Sequence, residues 1–166
     1  MKFSVNQKDL QNSLNYCQGV IEKRSTLPIL SNVLLEAKNA NLKITATDLD
    51  LIFIHNLSNI EILEEGETTT SCSTMYDIVR KFNNEKKISF DLVNENKIHL
   101  ESDKSSFNLN CLKASEFPIT DVNFTENEFT LNSKKLLKLL NKCKFSVSND
   151  ETRHYLSGIF FHITEN

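Results

Sequence analysis

The chain carries an offset copy of its own beginning, and that repeat limits what it can fold into. Shifted by 126 positions, Lys2-Phe3-Ser4-Val5-Asn6-Gln7-Lys8-Asp9-Leu10 lies over Glu128-Phe129-Thr130-Leu131-Asn132-Ser133-Lys134-Lys135-Leu136, and the register continues without a gap. Phe3, Asn6, Lys8, Leu10, Leu14, Asn15 and Cys17 meet Phe129, Asn132, Lys134, Leu136, Leu140, Asn141 and Cys143. Further on, Thr26, Leu30 and Ser31 meet Thr152, Leu156 and Ser157. About ten of roughly 34 aligned positions are identical where this composition gives about three by chance, and self-similarity at a fixed period marks repeated structural units. The period is domain-sized. It predicts one whole unit over 1–118, a linker over 119–126 and the opening of a second unit over 127–166.

Local patterns give each unit its plan. Phe3 and Val5 alternate with polar neighbours, as a half-buried strand does. Asn6 is placed to cap a helix over about 7–21, whose apolar stripe is Leu10, Leu14, Cys17 and Ile21. Strands are expected at 30–37, 41–47 and 51–62, the first two joined by a tight turn at Lys38-Asn39-Ala40-Asn41. The plan then starts again, with a strand at 67–72 and a helix at 74–82 that turns Met75, Ile78, Val79 and Phe82 inward. Strands at 87–93, 97–102 and 105–112 complete it. Beyond the linker, a strand at 127–132, a helix at 133–143 and a strand at 154–163 are expected. Strands outnumber helices, and each unit holds two helices against a mostly antiparallel sheet, so the fold class is α+β, built from repeated strand-helix-three-strand units.

Catalytic and cofactor signatures are missing. Gly19, Gly66 and Gly158 are isolated, so no phosphate loop is formed. His55, His99, His154 and His162 have no metal-ligand spacing, and neither do Cys17, Cys72, Cys111 and Cys143, which read as buried thiols. Asp48 and Asp50 share a strand face, but no base or third acid joins them into a site. The expectation is no enzyme, no metal and no cofactor. No leader pattern precedes the first strand, and no apolar run approaches the ~20 residues of a membrane span, so a cytoplasmic location and no membrane partner are expected. The net charge of −3 gives no overall basic footprint. Positive charge is instead local: Lys134, Lys138 and Lys142 recur at i, i+4, i+8 on one helix, and Arg80-Lys81 ends another, which is a surface suited to phosphates.

Met1-Lys2-Phe3, Thr26-Leu27-Pro28-Ile29-Leu30-Ser31-Asn32, Thr45-Ala46-Thr47-Asp48-Leu49, Phe117-Pro118 and Arg153-His154-Tyr155-Leu156-Ser157-Gly158 occur in order along the chain. Together they closely resemble the bacterial DNA sliding clamp, the beta subunit of DNA polymerase III, from Met1 to about Ile163. The resemblance implies a DNA-clamp fold, with three domains per chain and two chains closed head to tail into a ring. It implies a non-catalytic processivity factor that encircles duplex DNA, slides, and tethers the replicative polymerase.

Residue roles follow from the same resemblance. Lys8, Arg80, Lys134, Lys138 and Lys142 match helices lining the pore, and Arg24 matches a loop arginine that touches DNA. The companion loop of the second domain is Ser148-Asn149-Asp150, where an amide is expected; Asp150 would repel phosphate, and Asn149 is the substitute contact. Arg153, Tyr155 and Leu156 match the edge of a pocket for short peptide motifs of polymerase and clamp loader. Phe107 and Leu109 match the apolar centre of the ring-closing interface with the second subunit of a homodimer, flanked by Lys104. Two rival readings remain: an unrelated α+β repeat module that binds only proteins, and a small enzyme using Asp48 and Asp50.

Overall fold

The computed structural model describes residues 1–22, 27–118, 130–150 and 152–163. The chain divides into two compact units, Met1–Asp121 and Val122–Asn166.

In the first unit, β1 (Lys2–Asn6) buries Phe3 and Val5 and ends in the cap of α1 (Gln7–Cys17). The Asn6 side chain accepts from the Lys8 amide at 2.9 Å, satisfying one of the donors that a helix start leaves open. Leu10, Leu14 and Cys17 are buried along one face. The helix stops four residues short of the expected 21 and continues as a turn through Gly19, a poor helix former, while Ile21 still reaches the core.

After a short 3-10 turn at Pro28–Ser31, β2 (Asn32–Lys38) and β3 (Asn41–Thr47) form the expected hairpin. Asn39 and Ala40 have φ of 51° and 57°, the left-handed pair that a two-residue hairpin turn of type I′ requires. The single strand expected over 51–62 is two strands. β4 (Ile52–Ser58) stays on β3, then Asn59 turns at φ 60° and β5 (Glu61–Glu64) crosses to β1. The break is fixed by Ile60, whose amide donates to the Ala40 carbonyl at 2.9 Å.

β6 (Gly66–Ser71) leads into α2 (Cys72–Val79), which begins two residues earlier than the pattern suggests because Ser71 caps it. Strands β7 (Lys87–Asn94), β8 (Lys97–Ser102) and β9 (Ser105–Leu112) follow as expected.

The strand order is β4-β3-β2-β6-β9-β8-β7-β1-β5, and every pairing is antiparallel. Each half of the unit lends its first strand to the other half: β6 pairs with β2, and β1 pairs with β7. Neither half can therefore complete its sheet alone, which is why the doubled plan folds as one body. Within the second half the join between β6 and β9 is short, with only Thr69↔Leu112 and Thr70↔Cys111 in register. Side chains extend it: the Thr69 hydroxyl donates to the Leu112 carbonyl at 3.1 Å and the Thr70 hydroxyl to the Asn110 carbonyl at 2.9 Å. Both threonines are fully buried, so these bonds satisfy groups that water cannot reach.

Helices α1 and α2 lie side by side and antiparallel. The Gln7 side-chain Nε2 at the start of α1 donates to the Val79 carbonyl at the end of α2 (2.7 Å), while Gln18 beyond α1 reaches Cys72 at the start of α2 (3.7 Å). Beneath them runs one core that spans both halves and includes Phe3 and Phe90, stacked at 4.8 Å with ring planes 3° apart.

In the second unit, Asn132 caps α3 (Ser133–Cys143), accepting from the Lys134 and Lys135 amides at 3.1 and 3.2 Å as Asn6 does at the equivalent place. The strand expected at 127–132 lies largely outside the described residues, and 130–132 are not strand. The strand expected at 154–163 is not formed: His154–Leu156 is a 3-10 turn and 157–163 is irregular. A strand exists through its hydrogen-bonded neighbour, and no described segment of this unit pairs with it.

Candidate nucleic-acid interface

Charge is distributed unevenly over the elements. On the strands and their connecting turns five cations are held by acids, Lys2 by Asp91 (2.7 Å), Lys43 by Glu36 (2.9 Å), Lys86 by Asp103 (3.2 Å), Lys87 by Glu61 (3.2 Å) and Lys113 by Glu95 (3.3 Å), while Lys38, Lys97 and Lys104 have no ion pair among the described residues. Lys2 faces Asp91 and Lys43 faces Glu36 directly across their ladders, the placement in which opposite charges attract best. The helices differ. Among the described residues, Lys8 on α1 and Lys134, Lys135, Lys138 and Lys142 on α3 are exposed and in no ion pair. α3 contains no acid at all.

Lys135, Lys138 and Lys142, with Leu139, line an open groove of about 300 Å³ along α3. Their i, i+3, i+7 spacing puts all three ammonium groups on one face. The sequence stripe Lys134-Lys138-Lys142 drifts around the helix by 40° per step, because four residues exceed one turn. Lys135 was the member it missed, and its offset from Lys142 by seven positions was the available signal.

Arg80 is less free than its sequence position suggests. Its guanidinium sits 3.1 Å from Asp77 and 5.9 Å from the centre of the Tyr76 ring. It shares one end of the α1–α2 pair with Lys8, since Gln7 contacts the carbonyl of Val79. Arg24 lies outside the described residues.

The loop after α3 is closed on itself. Ser148 donates its amide to the Leu156 carbonyl at 2.9 Å. Inside, Asp150 accepts from the Thr152 hydroxyl (2.6 Å), the Thr152 amide (3.0 Å) and the Arg153 Nε (2.8 Å). The Thr152 hydroxyl, then its amide, then the Arg153 guanidinium hold the Asp150 carboxyl below its ordinary range. Asn149 is exposed beside this cluster; Tyr155 and Leu156 are exposed at 80% and 41%.

Phe107 and Leu109 project from the same face of β9 but end in different surroundings. Leu109 is buried in the unit's core, and Phe107, 39% exposed, meets Phe82 edge-on at 5.8 Å. Lys104 is exposed in the β8–β9 turn. Residues 105–109 pair with β8 on one side and, among the described residues, have no strand neighbour on the other, leaving an open sheet edge.

Asp48 and Asp50 are turn residues. Asp48 Oδ1 accepts the amides of Asp50 and Leu51 at 3.1 and 2.7 Å, and Leu49 between them has φ 83°. Cys17, Cys72 and Cys111 are buried as expected, but Cys143 is exposed because the apolar face of α3 has no described partner. The Cys17 thiol is pushed up by its contact with the Cys72 thiol and by burial.

An antiparallel sheet whose halves exchange first strands, with two antiparallel helices on the sheet and a copied helix start at the repeat period, defines the DNA-clamp fold. The chain belongs to the family described as DNA polymerase III beta subunit, N-terminal domain, which it matches over residues 1–121. It is 33% identical to the beta sliding clamp of Caulobacter vibrioides over 164 residues, covering 98% of this chain and 44% of that one. The Escherichia coli K12 beta sliding clamp is 33% identical over 161 residues, with 97% and 44% covered. Among solved structures, a sliding clamp (DNA polymerase III subunit beta) from Bartonella birtlesii bound to griselimycin superposes with a TM-score of 0.94 at 35% identity, covering 100% of this chain and 44% of that one. Caulobacter crescentus pol III beta superposes at 0.91 with 33% identity, covering 100% and 45%. The chain spans less than half the length of the curated relatives it matches.

Proposed function

We propose that the chain is the amino-terminal part of a processivity clamp, non-catalytic in itself, whose complete form encircles duplex DNA and tethers the replicative polymerase. The observation that carries this reading is the distribution of charge: five lysines on the sheet and its turns are held by acids, while every cation on α1 and α3 stands free. A duplex attracts unpaired cations whatever its sequence, and contacts made through phosphates alone permit sliding.

In this reading Lys8, Lys134, Lys135, Lys138 and Lys142 face the duplex, with Arg80 a weaker contributor and Arg24 and Asn149 supplied by loops. The open edge of β9 with Phe107 is where a second subunit continues the sheet, Lys104 flanking it and Leu109 supporting it from the core side. Arg153, Tyr155 and Leu156 form the edge of a site for short peptides of polymerase and loader. Residues 1–118 constitute the first clamp domain, 119–126 its linker and 127–166 the start of the second.

The test is duplex binding by the whole chain and by a form with Lys8, Lys138 and Lys142 changed to Glu. Sequence-independent, salt-sensitive binding that the charge reversal abolishes supports the clamp. Salt-independent behaviour, untouched by the reversal, fits a module that binds only proteins.

A further inference from the structure

By its charge alone, Asp150 looks like a residue that repels phosphate. Its geometry says otherwise. The carboxylate points into its own loop: Oδ1 takes the Thr152 amide and hydroxyl, and Oδ2 takes Arg153 Nε and a second guanidinium nitrogen, both at 2.8 Å. The backbone reinforces the arrangement. The Arg153 amide donates to the Asp150 carbonyl at 3.1 Å, the Leu156 amide to the Arg153 carbonyl at 2.9 Å, and the Ser148 amide to the Leu156 carbonyl at 2.9 Å. The Asp150 amide in turn donates to Ser148 Oγ at 3.1 Å. Each end of the loop is thus tied to the other through residues that also hold Asp150 or Arg153.

We propose that Asp150 is a positioning residue for Arg153: it clasps the guanidinium within the loop, so that the pair presents no free charge of either sign to a phosphate. The carboxylate of Asp150 does not face a duplex as an isolated negative charge, and the guanidinium of Arg153 is masked until something displaces it. Two guanidinium nitrogens converging on the single oxygen Oδ2 hold Arg153 at two points of its rigid plane, which a lone lysine in place of Arg153 could not reproduce. The pair remains half exposed, at 35% and 55% for the two side chains, so an incoming anion can compete for Arg153. The inference concerns the loop itself; only its duplex arm rests on the clamp reading.

The experiment uses the whole chain, whose three arginines, Arg24, Arg80 and Arg153, give three separable Nε–Hε signals by NMR. The Arg153 signal is expected to move toward the free-arginine position in Asp150→Asn, which keeps an oxygen for Thr152 but loses the charge. Asp150→Glu is expected to restore it in part. An Arg153 signal that Asp150→Asn leaves in place overturns the clasp. With a short duplex as probe at low salt, Asp150→Asn should raise affinity a few-fold by releasing one cation, and adding Arg153→Ala should cancel the gain. A gain that survives Arg153→Ala means that Asp150 acts by repulsion, and the proposal fails. If no version binds duplex while the Arg153 signal still depends on Asp150, the positioning role is supported and the duplex reading is the part refuted.

Discussion

Removing Lys135, Lys138 and Lys142 together is the sharpest perturbation of the charge pattern. Each stands free on one face of α3, so each can neutralise a phosphate without first breaking an ion pair. A phosphate contact contributes about 0.9 to the slope of log affinity against log salt, so the triple alanine variant should flatten that slope by up to about 2.7. Between about 200 and 50 mM salt the difference amounts to roughly 40-fold in affinity. Alanine is a strong helix former, so α3 should persist, which circular dichroism checks. Fluorescence anisotropy with a labelled duplex at several salt concentrations measures the slope. The control is Lys38, Lys43 and Lys97 changed to alanine, which removes the same charge from the sheet. Should the control flatten the slope as much as the α3 variant does, net charge rather than the helix face governs binding, and the reasoning is refuted.

Three further outcomes are expected. Phe3→Ala should destabilise the first unit by about 3–5 kcal/mol in urea unfolding, and a double-mutant cycle with Phe90→Ala should return a coupling of about 0.5–1.5 kcal/mol from the stacked rings; additive losses would remove the stack from the account. In the 166-residue chain iodoacetamide should label Cys143 while Cys17, Cys72 and Cys111 stay protected, Cys17 doubly so because its raised pKa keeps it a thiol; equal labelling of all four would contradict the packing of α1 on α2. The depressed pKa of Asp150 means that its clasp is fully formed above the ordinary carboxylate range and is lost only as pH falls through the lower folded value. The Thr152 amide shift should therefore stay constant from pH 7 to 5 and move only in stronger acid.

Much of the first unit was readable because its signals are local. A cap at Asn6, a stripe of Leu10, Leu14 and Cys17, and an Asn39-Ala40 turn each act within a few residues. What could not be read depends on partners. Nothing in the pattern of β1 says that it pairs with β7 rather than with a strand of its own half. The break at Asn59 follows from the bond between Ile60 and Ala40, twenty positions apart. The strand expected over 154–163 has no neighbour among the described residues, and pattern alone does not make a strand.

The candidate site divides the same way. The lysines of α3 announce themselves by spacing, whereas the difference between a free and a spent cation does not. Arg80 is compromised by Asp77 and Arg153 by Asp150, each three residues away, and sequence distance alone does not say which such pairs close. Asp48 and Asp50 show the converse: a carboxylate pair that invites a catalytic reading is a turn held by its own amides.

The central claim is that the complete protein holds DNA by surrounding it, and topology tests that directly. The complete protein would be loaded onto a closed circular plasmid, separated from free protein by gel filtration, and measured again after a single restriction cut. The account predicts that protein stays with the circle for many minutes and runs off once the plasmid is linear. Equal retention on both forms, or equal loss from both, would contradict encirclement and leave α3 as an ordinary phosphate-binding surface.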